Sequence, residues 1–107
     1  MPRHTSIEQA VRYIKIRWQE GNNLNEIAKM HGLDAGNLSR AFRNREGITA
    51  KQFIDKKRKE YVLRQVSKDI LFGHEIGTKL GFHDDLAFYR WVTRTFGASF
   101  AELRRKS

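Results

Sequence analysis

The sequence predicts an all-α fold: two helix-turn-helix units joined by a long linker helix, about seven helices in all. Three observations carry this. Apolar residues recur at helical spacing nearly throughout the chain, and strand-like alternation is absent. The chain also repeats itself. Glu26-Ile27-Ala28-Lys29-Met30-His31-Gly32-Leu33 returns 49 residues on as Glu75-Ile76-Gly77-Thr78-Lys79-Leu80-Gly81-Phe82. With one residue inserted, Leu38-Ser39-Arg40-Ala41-Phe42 falls on Phe88-Tyr89-Arg90-Trp91-Val92, and Gly47-Ile48-Thr49 on Gly97-Ala98-Ser99.

Each element follows from its own residues. Ile7, Ala10, Val11, Ile14 and Trp18 form one face of a first helix, with Ser6 as its N-cap and Gly21-Asn22-Asn23 as its end. Leu24, Ile27 and Ala28 belong to a short second helix that stops at Gly32. Asp34 caps a third, whose inner side is Leu38, Ala41 and Phe42 and which Gly47 closes. Thr49 opens a longer fourth helix with Phe53, Ile54, Tyr61, Val62 and Val66 inward and Lys56-Lys57-Arg58-Lys59 between them. A turn is expected over Ile70–Gly73. The fifth helix runs from His74 to Leu80, and Gly81 follows it. Asp84 caps a sixth carrying Phe88, Trp91, Val92 and Thr95, and Ser99 caps a short seventh through Leu103. The expected division is a first unit at 7–48, a linker helix at 49–68 and a second unit at 69–105.

Composition narrows the function classes. Lys and Arg number 21 against 12 Asp and Glu, a formal charge of +9, which favours a polyanionic partner, nucleic acid before a membrane surface. Cysteine is absent, so disulfides, thiolate zinc sites and cysteine nucleophiles are excluded. No apolar run approaches the ~20 residues a membrane span needs, and Met1–Glu8 has no apolar signal core. A cytoplasmic protein is expected. His74-Glu75 begins like a helical zinc-protease motif, but Thr78 stands where the second His must be. The four His lack ligand spacing, and Asp84 and Asp85 are adjacent and point apart on a helix, so neither a metal site nor a paired-carboxylate catalyst is expected. With no phosphate loop or nucleophile elbow either, no enzyme and no cofactor is expected.

A helix-turn-helix lays its second helix in the major groove with its early side chains on base edges. In the first unit those positions are Ala35, Gly36, Asn37, Ser39 and Arg40, with Arg43 and Arg45 further along for phosphates. Asn can bond adenine and Arg guanine in a bidentate way. The matching positions in the second unit are Asp85, Leu86, Tyr89, Arg90 and Thr93. Two such helices can enter successive major grooves, roughly 34 Å apart, and read an asymmetric site without dimerising. Basic residues outnumber acidic ones ten to four over Asp34–Lys68 but only six to five over Asp69–Ser107, so the phosphate attraction is expected mainly from the third and fourth helices.

Taken together, Leu24, Ile27-Ala28, Gly32-Leu33, Leu38 through Arg43, Gly47-Ile48-Thr49, Arg58, Ile76, Leu80-Gly81-Phe82, Phe88-Tyr89-Arg90, Phe96-Gly97 and Leu103-Arg104 give the chain a marked likeness. It resembles the DNA-binding domain of the AraC/XylS family of bacterial transcription regulators, from Ile7 to Arg104. The resemblance implies sequence-specific binding to double-stranded promoter DNA, most often to activate transcription through contact with RNA polymerase. It also implies, in many members, a separate sensor or dimerisation domain, and none is recognised in this sequence. Departures gather in the second half. Gly77 stands where the family has Ala, Phe72-Gly73 where it has a polar cap and an Ile, Val92-Thr93 where it has Phe-Lys, and Phe100 where it has Pro. The fourth helix has Lys59 in place of Leu. The first unit is therefore expected to dominate specificity.

Plainer readings stand beside these. Asn37 is either a base contact or solvated surface. Arg40 and Arg90 either meet DNA or form intramolecular ion pairs, and the lysine run is either a phosphate-attracting face or a solvated one. Two other functions compete with sequence-specific recognition. One is a non-specific or architectural nucleic-acid binder. The other is a protein-interaction domain using Leu86 and Tyr89.

Overall fold

The computed structural model describes residues 6–106. Helix α1 spans Ser6–Arg17 and runs into a 3-10 turn at Trp18–Glu20. Six helices follow: α2 Leu24–Met30, α3 Ala35–Glu46, α4 Ala50–Lys68, α5 Gly73–Lys79, α6 Asp85–Phe96 and α7 Phe100–Lys106. Among the described residues there is no strand. The chain is all-α, as its periodicity predicts.

Local chemistry fixes the helix ends, and it does so twice. At α2, Asn23 Oδ1 accepts from Glu26 N–H at 2.8 Å while Glu26 Oε1 accepts from Asn23 N–H at 2.8 Å. This reciprocal box satisfies two otherwise orphaned amides. At α5 only half of it exists. Glu75 Oε1 accepts from Phe72 N–H at 2.8 Å, but Phe72 has no oxygen to return the bond. Asp34 caps α3 by accepting from Asn37 N–H (3.1 Å), and Asp84 caps α6 by accepting from Ala87 N–H (2.7 Å). Helices α3 and α6 both end in a left-handed glycine, Gly47 at φ 80° and Gly97 at φ 70°. The pairs Thr49/Gln52 and Ser99/Glu102 then box the starts of α4 and α7. The bonds from Ser99 hold the Glu102 carboxyl below its ordinary range.

Two compact units result. The first takes the chain through Trp18 together with Asn22–Lys56, and the second takes Gln19–Gly21 together with the chain from Lys57 onward, so α4 contributes to both. In the first unit Ala10, Val11, Ile14, Ile27, Ala28, Leu38, Phe42 and Ala50 form the buried core. Phe42 is fully buried and meets Phe53 edge-on at 5.5 Å. Asn22 donates to the Tyr13 hydroxyl at 2.7 Å, and the Tyr13 ring meets His31 at 5.7 Å.

In the second unit the buried side chains are Val62, Val66, Ile76, Leu80, Phe88, Trp91, Val92 and Phe100. Phe88 is the centre of an aromatic cluster with Phe82, Tyr89, Trp91 and Phe100, ring centroids 5.2–6.5 Å apart. Two glycines make this packing possible. A Cβ on Gly77 would lie 2.8 Å from Phe88 Cγ, and one on Gly73 would lie 2.5 Å from Tyr89 Oη. The Gln19–Gly21 segment packs backbone to backbone on the turn after α5, where a Cβ on Gly81 (φ +88°) would lie 2.6 Å from Gln19 O.

Several boundaries differ from the sequence expectation. Ser6 lies inside α1, and its expected cap geometry depends on residues outside those described. Trp18 leaves the helix for the 3-10 turn, because the chain tightens before Gly21 (φ +78°) reverses it. Gly73 already begins α5, since Phe72 takes the extended N-cap conformation. Arg58 is not part of an open basic face. Its Nε approaches Leu80 O at 3.4 Å and its guanidinium lies 4.1 Å from the Phe82 ring centroid, so it is a packing cation of the second unit.

Candidate nucleic-acid interface

Each unit contains a short helix, a glycine turn and a twelve-residue helix: α2–α3 in the first and α5–α6 in the second. The turns match bond for bond. Leu33 N–H donates to Ala28 O at 2.8 Å, and Phe82 N–H to Gly77 O at 3.0 Å. The capping aspartates fix where α3 and α6 begin, and so which residues fall in their first turns.

On α3 the outward residues are Asn37, Arg40 and Arg43, all exposed and separated by three residues each. The Arg40 guanidinium donates to Asn37 Oδ1. It also folds over Gly36, where an added Cβ would lie 3.5 Å from Arg40 Nη1 and 3.0 Å from the Asp34 carboxylate. Two side chains able to read purines are thus held as one polar pair at the start of the helix. The other three first-unit candidates are less outward. Ala35, Gly36 and Ser39 are half-buried, and Ala35 packs against the core. Arg45 is exposed in the last turn.

On α6 all five candidates are exposed: Asp85, Leu86, Tyr89, Arg90 and Thr93. They are not equally free to reach outward. The Tyr89 hydroxyl end lies over Gly73, and its ring packs on Phe88 at 5.2 Å and Phe100 at 6.3 Å. Thr93 Oγ1 donates back to Tyr89 O at 3.1 Å. Asp84 is engaged as the cap, which leaves Asp85 as the exposed carboxylate of the first turn. Tyr89, Arg90, Thr93 and Arg94 line a shallow open depression along the helix. Arg94 is a further cationic candidate that the sequence reading passed over. Its signal is the four-residue spacing from Arg90, which puts both guanidiniums on one face.

Among the described residues no group of His, Asp or Glu is arranged to hold a metal ion, and no helix is long and apolar enough to cross a membrane.

Comparison with known proteins gives this arrangement a class. Residues 27–106 match the profile of a helix-turn-helix domain family. The Msm operon regulatory protein of Streptococcus mutans serotype c (strain ATCC 700610 / UA159) is 28% identical over 103 residues, covering 94% of this chain and 36% of that protein. The chain thus spans about a third of that relative's length. The C-terminal domain of AraT, a response regulator from Geobacillus stearothermophilus, superposes with a TM-score of 0.77 at 23% identity, covering 97% of this chain and 87% of that one. The DNA-binding domain of AdpA, a global transcriptional factor solved with a target DNA, gives 0.73 at 18% identity over 96% of this chain and 93% of that one. The fold and its paired outward helices are those of a DNA-binding helix-turn-helix protein. The chain belongs to the AraC-type family of such domains, the DNA-binding part of transcription regulators and not an enzyme family.

Proposed function

We propose that this chain binds double-stranded promoter DNA sequence-specifically, with α3 and α6 in successive major grooves. Two reading units, 7–48 and 69–105, act through the linker 49–68. The observation that carries this is the duplicated unit with an exposed reading face on each second helix, and on α3 the Asn37–Arg40 pair. Asn37 and Arg40 read bases. Arg43, Arg90 and Arg94 hold phosphates. Ala35, Gly36 and Ser39 set the approach of α3, and Asp85, Leu86, Tyr89 and Thr93 form the corresponding face of α6. The names of the S. mutans relative and of the AdpA complex support operon regulation and DNA contact respectively. Activation of transcription through RNA polymerase, a bacterial cytoplasmic setting at the nucleoid, and a sensor or dimerisation domain elsewhere in the full protein complete the reading.

The test is selection of the purified chain against random duplex DNA at near-physiological salt. One asymmetric site with two fixed blocks about 10 base pairs apart is expected. The block read by the first unit should be the more stringent, because α6 carries Asp85 and turns Tyr89 inward. Equal binding to all duplexes, falling steeply with salt, would replace this reading with non-specific binding driven by the +9 charge.

A further inference from the structure

We infer that Leu86 reads the 5-methyl group of a thymine in the block bound by the second unit. The inference rests on the DNA-binding reading above and names what one residue of that surface recognises.

Leu86 is the second residue of α6, in the turn that a helix-turn-helix brings to base edges. It is 57% exposed, although every other apolar side chain in the first two turns of α6 is half-buried, buried or packed inward. Its own face continues with Tyr89, Arg90 and Thr93 at three, four and seven residues on. Tyr89 turns its hydroxyl end over Gly73, so it brings no polar group to Leu86. Asp84 is engaged in capping. Arg90 and Arg94 follow as exposed cations one turn apart, complementary to a phosphate backbone. This face therefore presents an aliphatic tip ahead of two backbone-binding cations. The major groove offers one apolar group to such a tip, the thymine methyl.

The internal repeat supplies a comparison. The residue equivalent to Leu86 in the first unit is Gly36, which has no side chain to make this contact. At this position the methyl contact is thus open to the second unit and not to the first.

The test uses the site selected by the 107-residue chain. Each thymine of the second block is replaced singly by uracil, which removes only the methyl group. The expected result is one position where uracil weakens binding by about fourfold, as loss of one buried methyl predicts. That difference should vanish in Leu86→Gln and persist in Leu86→Met. Unchanged recognition of the first block shows that both variants are folded. A two-block site whose thymines all tolerate uracil overturns the inference and leaves the proposed function standing. So does a Leu86→Gln chain as uracil-sensitive as the parent, whereas a site with only one block overturns both the inference and the placement of α6 in a second groove. Binding without sequence preference overturns the inference and the proposed function.

Discussion

Gly77 shows how one residue ties local sequence to packing. Its counterpart in the internal repeat is Ala28, and Ala is a better helix former by about 1 kcal/mol. Here a Cβ would sit 2.8 Å from Phe88 Cγ, and Phe88 is fully buried among aromatic rings that cannot yield cheaply. Gly77→Ala should therefore lower stability by ~1–3 kcal/mol, the range of core overpacking. Thermal melting checks this, and a raised melting temperature would mean that the α5–α6 contact is looser than described. Arg40 is the residue-scale case on the functional side. Arg40→Ala should weaken specific binding by ~1–3 kcal/mol and relax one base position. Titration against single-base variants of the selected site reads both effects. Uniform loss on every sequence would reassign Arg40 to phosphate.

Elements are set by caps more than by propensity. Asn23 and Glu26 satisfy both partners at α2, whereas Phe72 leaves the equivalent bond unmade at α5 and is itself 67% exposed. Phe72→Ser supplies the missing acceptor to the first turn of α5. A gain of about 0.5–1 kcal/mol is expected in chemical denaturation. Loss of stability instead would show that the stacking of Phe72 on His74, 5.7 Å between centroids, outweighs a cap. At α4 the same scale explains why a charge run is not a face. Of Lys56-Lys57-Arg58-Lys59, Lys56 and Lys59 are exposed, Lys57 approaches Glu60 at 3.9 Å, and Arg58 packs on Phe82.

At the scale of the whole molecule, the +9 charge supplies attraction that needs no base contact. Lys56→Ala should cause a small, sequence-independent loss of affinity and make the salt dependence shallower by about one counterion. Binding isotherms at several salt concentrations measure this, and an unchanged slope would place that part of α4 away from the DNA. The ends of the molecule's elements were largely legible in advance. Asp34, Asp84, Ser99, Gly47 and Gly97 stand where the sequence puts them, because caps are made by neighbours in the chain. Trp18 and Gly73 were not, because the tight turn at Gly21 and the extended Phe72 decide those boundaries. The candidate site was legible as positions and not as orientations. Tyr89 and Arg40 occupy the expected places on their helices, yet one is turned over Gly73 and the other is tied to Asn37.

The sequence by itself determined the all-α class, the duplicated helix-turn-helix and the residues that begin the second helix of each unit. These depend on periodicity, caps and turn glycines, which are relations between residues a few positions apart. Only the tertiary structure decided which side chains of those helices remain outward. That choice depends on contacts between residues distant in the chain, such as Gly73 with Tyr89, Gly77 with Phe88 and Arg58 with Phe82. In a close-packed interior, what a side chain can offer a partner is settled by the space its neighbours leave it.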